Sequence, residues 1–308
     1  MKIVAVINYK GGVGKTSLTA NLAAELAWQN YKVLMIDLDP QSSLTFSFIT
    51  PDVWEKSFAG SSTIKSWFES FDSGHQLPLT SLIHTPKRVA EALRGKGQLD
   101  IICSHLGLIN VDLELATRLG GASLSQAKKN FIAVHRQLAD GLRKIDPRSY
   151  NLILIDCPPN FNIVTKTAII ASDYILVPAR PDYLSTLGID YLIRSVNSLI
   201  KDYNEFADVQ NGEKTPKINP KVLGVVFTMI QEYGGGPMGA QRPFMNQARL
   251  LGGISVFSHY IKRNDSLFAD APQYGVPVVL NGYSTGSHQS VVDGLEEVAG
   301  EFKRSIGL

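Results

Sequence analysis

The stretch Asn8-Tyr9-Lys10-Gly11-Gly12-Val13-Gly14-Lys15-Thr16-Ser17 decides the fold. It follows the apolar run Val4 to Ile7, which reads as a buried strand, and it opens the helical segment Thr16 to Trp28. Glycines at such a junction let backbone N–H groups turn inward around a phosphate, and the helix N-terminus adds positive potential. Lys15 is then placed to reach the β and γ phosphates of a nucleotide, and the Thr16 hydroxyl to ligate Mg²⁺. The general phosphate-loop pattern asks for a further glycine at position 9, where this chain carries Tyr9. In its place stand two adjacent glycines and a second lysine, Lys10. A glycine-rich strand-to-helix turn without a ligand is the competing reading. The strand–loop–helix context favours the phosphate loop.

Working outward, short β-branched apolar runs alternate with helix-length segments. Val33 to Ile36, Leu99 to Ile102, Leu152 to Ile155, Tyr174 to Val177 and Val222 to Phe227 read as strands buried on both faces. Ser123 to Lys144 and Leu184 to Tyr203 read as helices. The alternation implies right-handed βαβ crossovers, so the expected fold class is α/β: a doubly wound, mainly parallel sheet flanked by helices. Residues 1–308 are expected to form a single domain, with 42–98 an irregular elaboration of the first crossover around Trp54, Trp67 and Phe68. Asn204 to Pro220, with Asn211-Gly212, reads as a surface loop, and Gly234 to Pro237 as a mobile one. Leu295, Val298, Phe302 and Ile306 recur at helical spacing, as in a terminal helix docked on the core; a membrane-surface helix is the alternative.

Composition narrows the function classes. The chain has 308 residues, 44% hydrophobic and 19% charged, a soluble globular composition that excludes wholesale disorder. A net charge of +2 neither demands nor excludes a nucleic-acid partner, so only a local patch could argue for one. Two cysteines, Cys103 and Cys157, make no disulfide framework and are too few for a four-cysteine metal site. The histidines, among them His75, His84, His105 and His135, show no ligand spacing. The first apolar run is too short for a secretory signal, and no run approaches the ~18 apolar residues of a membrane span. The expected compartment is the cytoplasm.

Lys10-Gly11-Gly12-Val13-Gly14-Lys15-Thr16 resembles the deviant Walker A motif of the ParA/MinD ATPases, P-loop NTPases grouped with the nitrogenase iron protein and the signal-recognition GTPases. Asp37-Leu38-Asp39-Pro40-Gln41 resembles the switch I segment of that family, and Leu152 to Pro159 its Walker B strand and switch II. Val177 to Ser185 and Ala271 to Val278 also resemble ParA landmarks, so the likeness spans nearly the whole chain and is poor only over 42–98. It implies an ATPase of the ParA/Soj type that partitions or positions DNA or another cargo. The implied cofactors are ATP and Mg²⁺. The implied partners are a second copy of the chain in an ATP homodimer, DNA bound without sequence preference, and a ParB-like or other stimulating adaptor. Stable membrane insertion is not expected, and DNA binding would make the protein nucleoid-associated.

The same resemblance distributes roles. Gly11, Gly12, Val13, Gly14, Lys15, Thr16 and Ser17 would cradle the phosphates, with Lys15 neutralising developing charge. Lys10, with no evident job within its own loop, would reach across the dimer to the partner's nucleotide. Asp39 would orient the attacking water, and Asp156 would hold the Mg²⁺ shell with Thr16. Asp37 would support the metal, with a turn or helix cap as its competing role. Thr228-Met229, and Lys262-Arg263 after a last strand, resemble segments that enclose adenine, although family members usually carry proline where Lys262 stands. Arg242 and Arg249 are candidates for DNA contact, with Lys303 and Arg304 as alternatives and ordinary solvated charge as the competing reading. Cys157 could ligate a cluster as in nitrogenase iron protein, but a buried structural cysteine is the better reading.

Two rival functions follow, a MinD-like membrane-cycling ATPase and an iron–sulfur protein; Asp39-Pro40-Gln41 favours ParA. Because the chain begins at its first strand, operator recognition by an N-terminal extension is not expected.

Overall fold

Each apolar run is short, rich in β-branched residues and covered on both faces, which is the setting of a parallel strand. The computed structural model describes residues 1–71, 76–208, 215–282 and 286–308. In chain order the elements are β1 (Lys2–Val6), α1 (Lys15–Trp28), β2 (Lys32–Asp37), α2 (Ser43–Phe46), α3 (Pro51–Ser57), α4 (Ile64–Glu69), β3 (Ile83–His84), α5 (Lys87–Leu93), β4 (Gln98–Ile102), α6 (Leu108–Thr117) and α7 (Leu124–Leu142). They continue with β5 (Leu152–Asp156), α8 (Ile163–Ala171), β6 (Tyr174–Ala179), α9 (Tyr183–Ala207), β7 (Lys221–Phe227), β8 (Glu232–Tyr233), β9 (Gly236–Pro237), α10 (Arg242–Leu250), α11 (Asp265–Tyr274) and α12 (Gly286–Ile306).

One sheet of seven strands runs in the order β3-β4-β2-β5-β1-β6-β7. Its pairs are parallel except that of β3 with β4. Successive residues of one strand point to opposite faces. Val4 and Val6 therefore join the core under α1, α5, α11 and α12, while Ala5 and Ile7 join the core under α4 and α6 to α10. The same division holds for Val33 and Met35 against Leu34 and Ile36. This is the doubly wound, mainly parallel α/β arrangement that the alternation of strands and helices implies.

Four expectations change. The 42–98 elaboration supplies an antiparallel edge strand, β3, as well as short helices. Trp67 of α4 anchors it: the ring is fully buried and packs edge-on to Phe68 and Phe71. Gly141 makes room for it inside α7, since a Cβ there would lie 2.5 Å from Trp67 Cζ2. Secondly, α9 runs on to Ala207, so Asn204 is helical, and its side-chain amide clasps the Ile218 backbone at 2.9 Å through both its donor and its acceptor. Thirdly, Gly234 to Pro237 belongs to a tight hairpin in which β8 pairs with β9. Fourthly, no full strand precedes Ile261; single parallel bridges, Val225 to Val256 and Ile230 to Lys262, extend the sheet edge instead. Asn211-Gly212 and His75 lie outside the described residues.

The apolar stripe of α12 is buried: Leu295, Val298, Phe302 and Ile306 pack in the core that α1 also covers. Among the described residues no helix is long and apolar enough to cross a membrane.

Candidate functional site

The phosphate loop leaves β1 at the point where strand order reverses, with β5 on one side and β6 on the other. Crossovers leave such a strand in opposite directions and open a crevice at its carboxyl end. Gly12 and Gly14 take φ values of 67° and 75°, left-handed conformations that side chains resist. Gly14 is the N-cap of α1, so the free N–H groups of the first helical turn face the crevice. The loop hangs from its neighbours: the Asn8 amide donates to the Pro178 carbonyl at 2.7 Å, and the Thr228 hydroxyl donates to the Val13 carbonyl at 2.8 Å. Asn8 Oδ1 in turn accepts the Lys10 N–H at 2.9 Å. A cavity of about 640 Å³ follows, bounded by the whole run Gly11 to Ser17 and by Asp39, Gln41 and Met229. Met229 itself holds φ 55°, a strained value for a non-glycine residue at the rim of the site.

Lys15 is 7% exposed and donates to the Lys10 carbonyl at 3.2 Å. Burial holds its ammonium below the ordinary lysine value, against the opposing pull of Asp156 and Asp39.

Three carboxylates gather opposite. Asp37 and Asp156 sit side by side in the β2–β5 register, both fully buried. Asp156 accepts the Thr16 hydroxyl at 2.8 Å. Burial pushes its carboxyl up to about 7, while the Thr16 hydrogen bond and the Lys15 charge resist. Burial and repulsion from Asp156 push Asp37 up to about 8. Asp37 accepts the Asp39 N–H at 3.0 Å, the Thr45 N–H at 2.8 Å and the Thr45 hydroxyl at 2.7 Å. It ties α2 to the end of β2, which is the turn role that competed with a metal role in the sequence. Asp39 is half-buried at the mouth; its carboxylate accepts the Gln41 N–H at 2.9 Å and its carbonyl accepts the Ser104 hydroxyl at 2.7 Å.

This donor set fits nucleotide and Mg²⁺. Hard oxygens suit Mg²⁺, which binds through one or two protein groups plus phosphates and waters. Thr16 and Asp156 offer those groups beside the glycine cradle, and a divalent cation would relieve the crowding of buried acids. Among the described residues no group of three or more His, Cys, Asp or Glu is arranged to hold a metal ion by itself.

Lys10 has a partner within its own chain: Asp182, at the N-cap of α9, accepts its ammonium at 2.8 Å and 2.9 Å through both carboxylate oxygens. Lys10 and Ser185 together hold the Asp182 carboxyl below the usual range in spite of partial burial. The sequence shows Asp182 as a helix cap, but nothing local pairs it with a lysine 172 positions away.

Thr228, Met229, Lys262 and Arg263 come together with Gly14 and Ser17 around a side pocket of about 270 Å³. Phe268 of α11, which no motif in the sequence marks, completes its apolar wall. Lys262 is spent on Glu232 at 2.8 Å and Ser290 at 2.9 Å, and Arg263 on Asp265 at 2.6 Å. These cations thus shape the pocket, already carrying partners of their own.

Arg242 and Arg249 stand two turns apart on α10, both exposed, and neither lines the nucleotide cavity. Lys303 is engaged on Gln29 at 2.6 Å. Both cysteines are buried, and burial pushes each thiol well above its ordinary value, the condition of an inert structural cysteine.

Residues 1–209 match the AAA domain family. The chain is 25% identical over 299 residues to the chromosome partitioning protein ParA of Caulobacter vibrioides, an alignment covering 97% of this chain and 94% of that protein. Its fold is similar to that of apo McdA from Cyanothece, with a TM-score of 0.71 and 20% identity, covering 99% of each chain. It is also similar to cobyrinic acid a,c-diamide synthase from Mycobacterium smegmatis, determined with an ATP analog and magnesium (TM-score 0.70, 20% identity, 99% of this chain and 94% of that one).

Proposed function

Because the chain belongs to the AAA domain family and is ParA-like along its length, we propose that it is a partitioning ATPase working as an ATP-dependent homodimer. The observation that carries the proposal is the meeting of the Gly11 to Ser17 loop with Asp39 and Asp156 at the carboxyl ends of β1, β2 and β5.

In this reading the loop N–H groups and Lys15 bind the phosphates and compensate the charge that grows during transfer, since phosphoryl transfer is catalysed mostly by positioning and electrostatics. Mg²⁺ would supply further neutralisation when bound, held by Thr16 and Asp156; Asp37 keeps α2 and the Asp39 turn in place, and Asp39 orients the attacking water. The side pocket beside Gly14 takes the base. Lys10 leaves Asp182 and turns to the nucleotide of a second copy, which couples assembly to hydrolysis. DNA binds the ATP dimer through phosphate contacts that include Arg242 and Arg249, and an adaptor protein stimulates turnover. The buried α12 stripe and the buried Cys157 support this reading over membrane cycling and over cluster chemistry.

Light scattering tests the dimer. With ATP and a hydrolysis-deficient Asp39→Ala chain a dimer is expected, and with ADP a monomer. Adding Lys10→Ala should weaken the ATP dimer at least about tenfold, roughly 1.4 kcal/mol, the scale of one exposed charge-assisted contact. Monomers in every nucleotide state at micromolar protein would sink the homodimer.

A mobility-shift titration over a salt series tests the DNA interaction. The ATP dimer should bind two unrelated duplexes alike, because phosphate contacts carry no base information. Arg242→Ala and Arg249→Ala should each reduce the log–log salt slope by about 0.9 for every phosphate the arginine neutralises. Absence of binding at low salt would remove DNA from the proposal and leave a protein-directed positioning ATPase.

A further inference from the structure

Behind the segment that carries α2 lies a second cavity, of about 460 Å³, which the nucleotide reading does not use. Phe48, Val53 and Phe58 form its apolar wall, α5 brings Lys87 and Arg88 to its rim, and Pro272 of α11 and Gly275, which caps that helix, close it. Its size, and an apolar interior with a few polar groups, are those of a small-molecule site.

Two features define what it would hold. The first is charge. His84, Lys87 and Arg88 are its titratable lining groups, and among the described residues no acid lines it. Val53 and Ser57, one turn apart on α3, face the cavity, whereas Asp52 and Glu55 of the same helix do not line it. Arg88 is steadied by the Tyr274 carbonyl at 2.9 Å, which leaves other guanidinium N–H groups for a ligand. The second is uncovered apolar surface: Val53 remains 50% exposed on the cavity wall, and Phe58 packs edge-on to the His84 ring with centroids 4.8 Å apart.

The cavity also shares structure with the phosphate site. Pro272 lines both. Phe48 lies just beyond α2, whose Ser43 and Phe46 line the phosphate cavity and whose Thr45 grips Asp37.

We propose that this cavity is an effector site for a small amphipathic anion, its apolar body against Phe48, Val53 and Phe58 and its acidic head toward Lys87 and Arg88, coupled to the nucleotide site through the shared wall. The coupling rests on the nucleotide reading above; the binding does not. Two ligands that favour different arrangements of one wall must change each other's affinity by the same factor.

The probe is 8-anilinonaphthalene-1-sulfonate, an aromatic body with a sulfonate head, titrated by fluorescence on the full chain. Saturable binding of one probe per chain is expected at micromolar concentration. Lys87→Glu, which reverses the rim charge, and Val53→Trp, which fills the space from an exposed position, should each weaken it at least about tenfold while leaving ADP affinity unchanged. ADP should shift probe affinity in the wild type by at least about threefold, and the probe should shift ADP affinity equally. Unsaturable binding, or equal binding by both variants, overturns the site. Displacement by ADP that the variants do not alter places the probe in the nucleotide pocket and also overturns it. Site binding that is indifferent to ADP overturns the effector role. A probe signal that disappears as protein concentration rises would assign this face to a second copy instead.

Discussion

Lys15→Ala is expected to lower kcat/KM for ATP hydrolysis by about 10²- to 10³-fold, the scale on which one preorganised charge or donor contributes to a transition state, or about 2.7–4 kcal/mol. The reason is local. Lys15 is held at 7% exposure in the phosphate cavity, where its ammonium donates to the Lys10 carbonyl at 3.2 Å. Low exposure magnifies its field on a phosphoryl group and leaves no water to substitute for it. Removing it also strips a buried carboxylate, Asp156, of its cationic neighbour, so loss of folding has to be separated from loss of chemistry. Lys15→Gln keeps most of the volume and a donor for the Lys10 carbonyl while removing the charge. Both variants should melt cooperatively near the wild type and both should lose turnover in a phosphate-release assay. Turnover within tenfold of wild type for a folded Lys15→Gln chain would sink the assignment.

Asp39→Ala is expected to separate binding from cleavage. Water-positioning and general-base groups contribute about 10²- to 10⁴-fold, so hydrolysis should fall by at least about a hundredfold. Affinity for a fluorescent ATP analogue should stay within about threefold, because Asp39 is half-buried at the cavity mouth and the phosphate cradle is built by other residues. Its carbonyl bond to Ser104 survives the substitution, and the loss of the side-chain bond to Gln41 is controlled by Asp39→Asn, which keeps an acceptor there. Single-turnover hydrolysis with saturating Mg²⁺ is the measurement. A wild-type rate for Asp39→Ala would show that the water is positioned elsewhere.

The two residues were legible for different reasons. Lys15 is announced by its immediate neighbours, since Gly11 to Thr16 between a β-branched run and a helix has few other physical meanings. Asp39 was legible only as a strand-end acid within a family-like segment, and Asp37 shows the limit of that signal. Both stand at the end of β2, yet Asp37 turns its carboxylate to Thr45 of α2 while Asp39 lies at the cavity mouth. Which strand-end acid faces the crevice depends on where the following chain folds back. The 42–98 region was opaque for a related reason: its helices are short, and Trp67 is ordered by a glycine in α7 rather than by any period of its own.

The alternating parallel architecture and the phosphate loop at its centre are readable in the chain alone, and docking of the last helix is its favoured reading, which the burial of Leu295, Val298, Phe302 and Ile306 bears out. Those features rest on signals within one or two turns of the chain: apolar period, glycine placement and β-branching. Only the tertiary structure decided that Lys10 is held by Asp182, that Phe268 walls the pocket beside Gly14, and that α2 and Pro272 stand between two cavities. The physical reason is the same in each case. A parallel sheet gathers the carboxyl ends of strands far apart in sequence onto one edge, and a charge or ring brought there takes its partner from whichever crossover returns beside it.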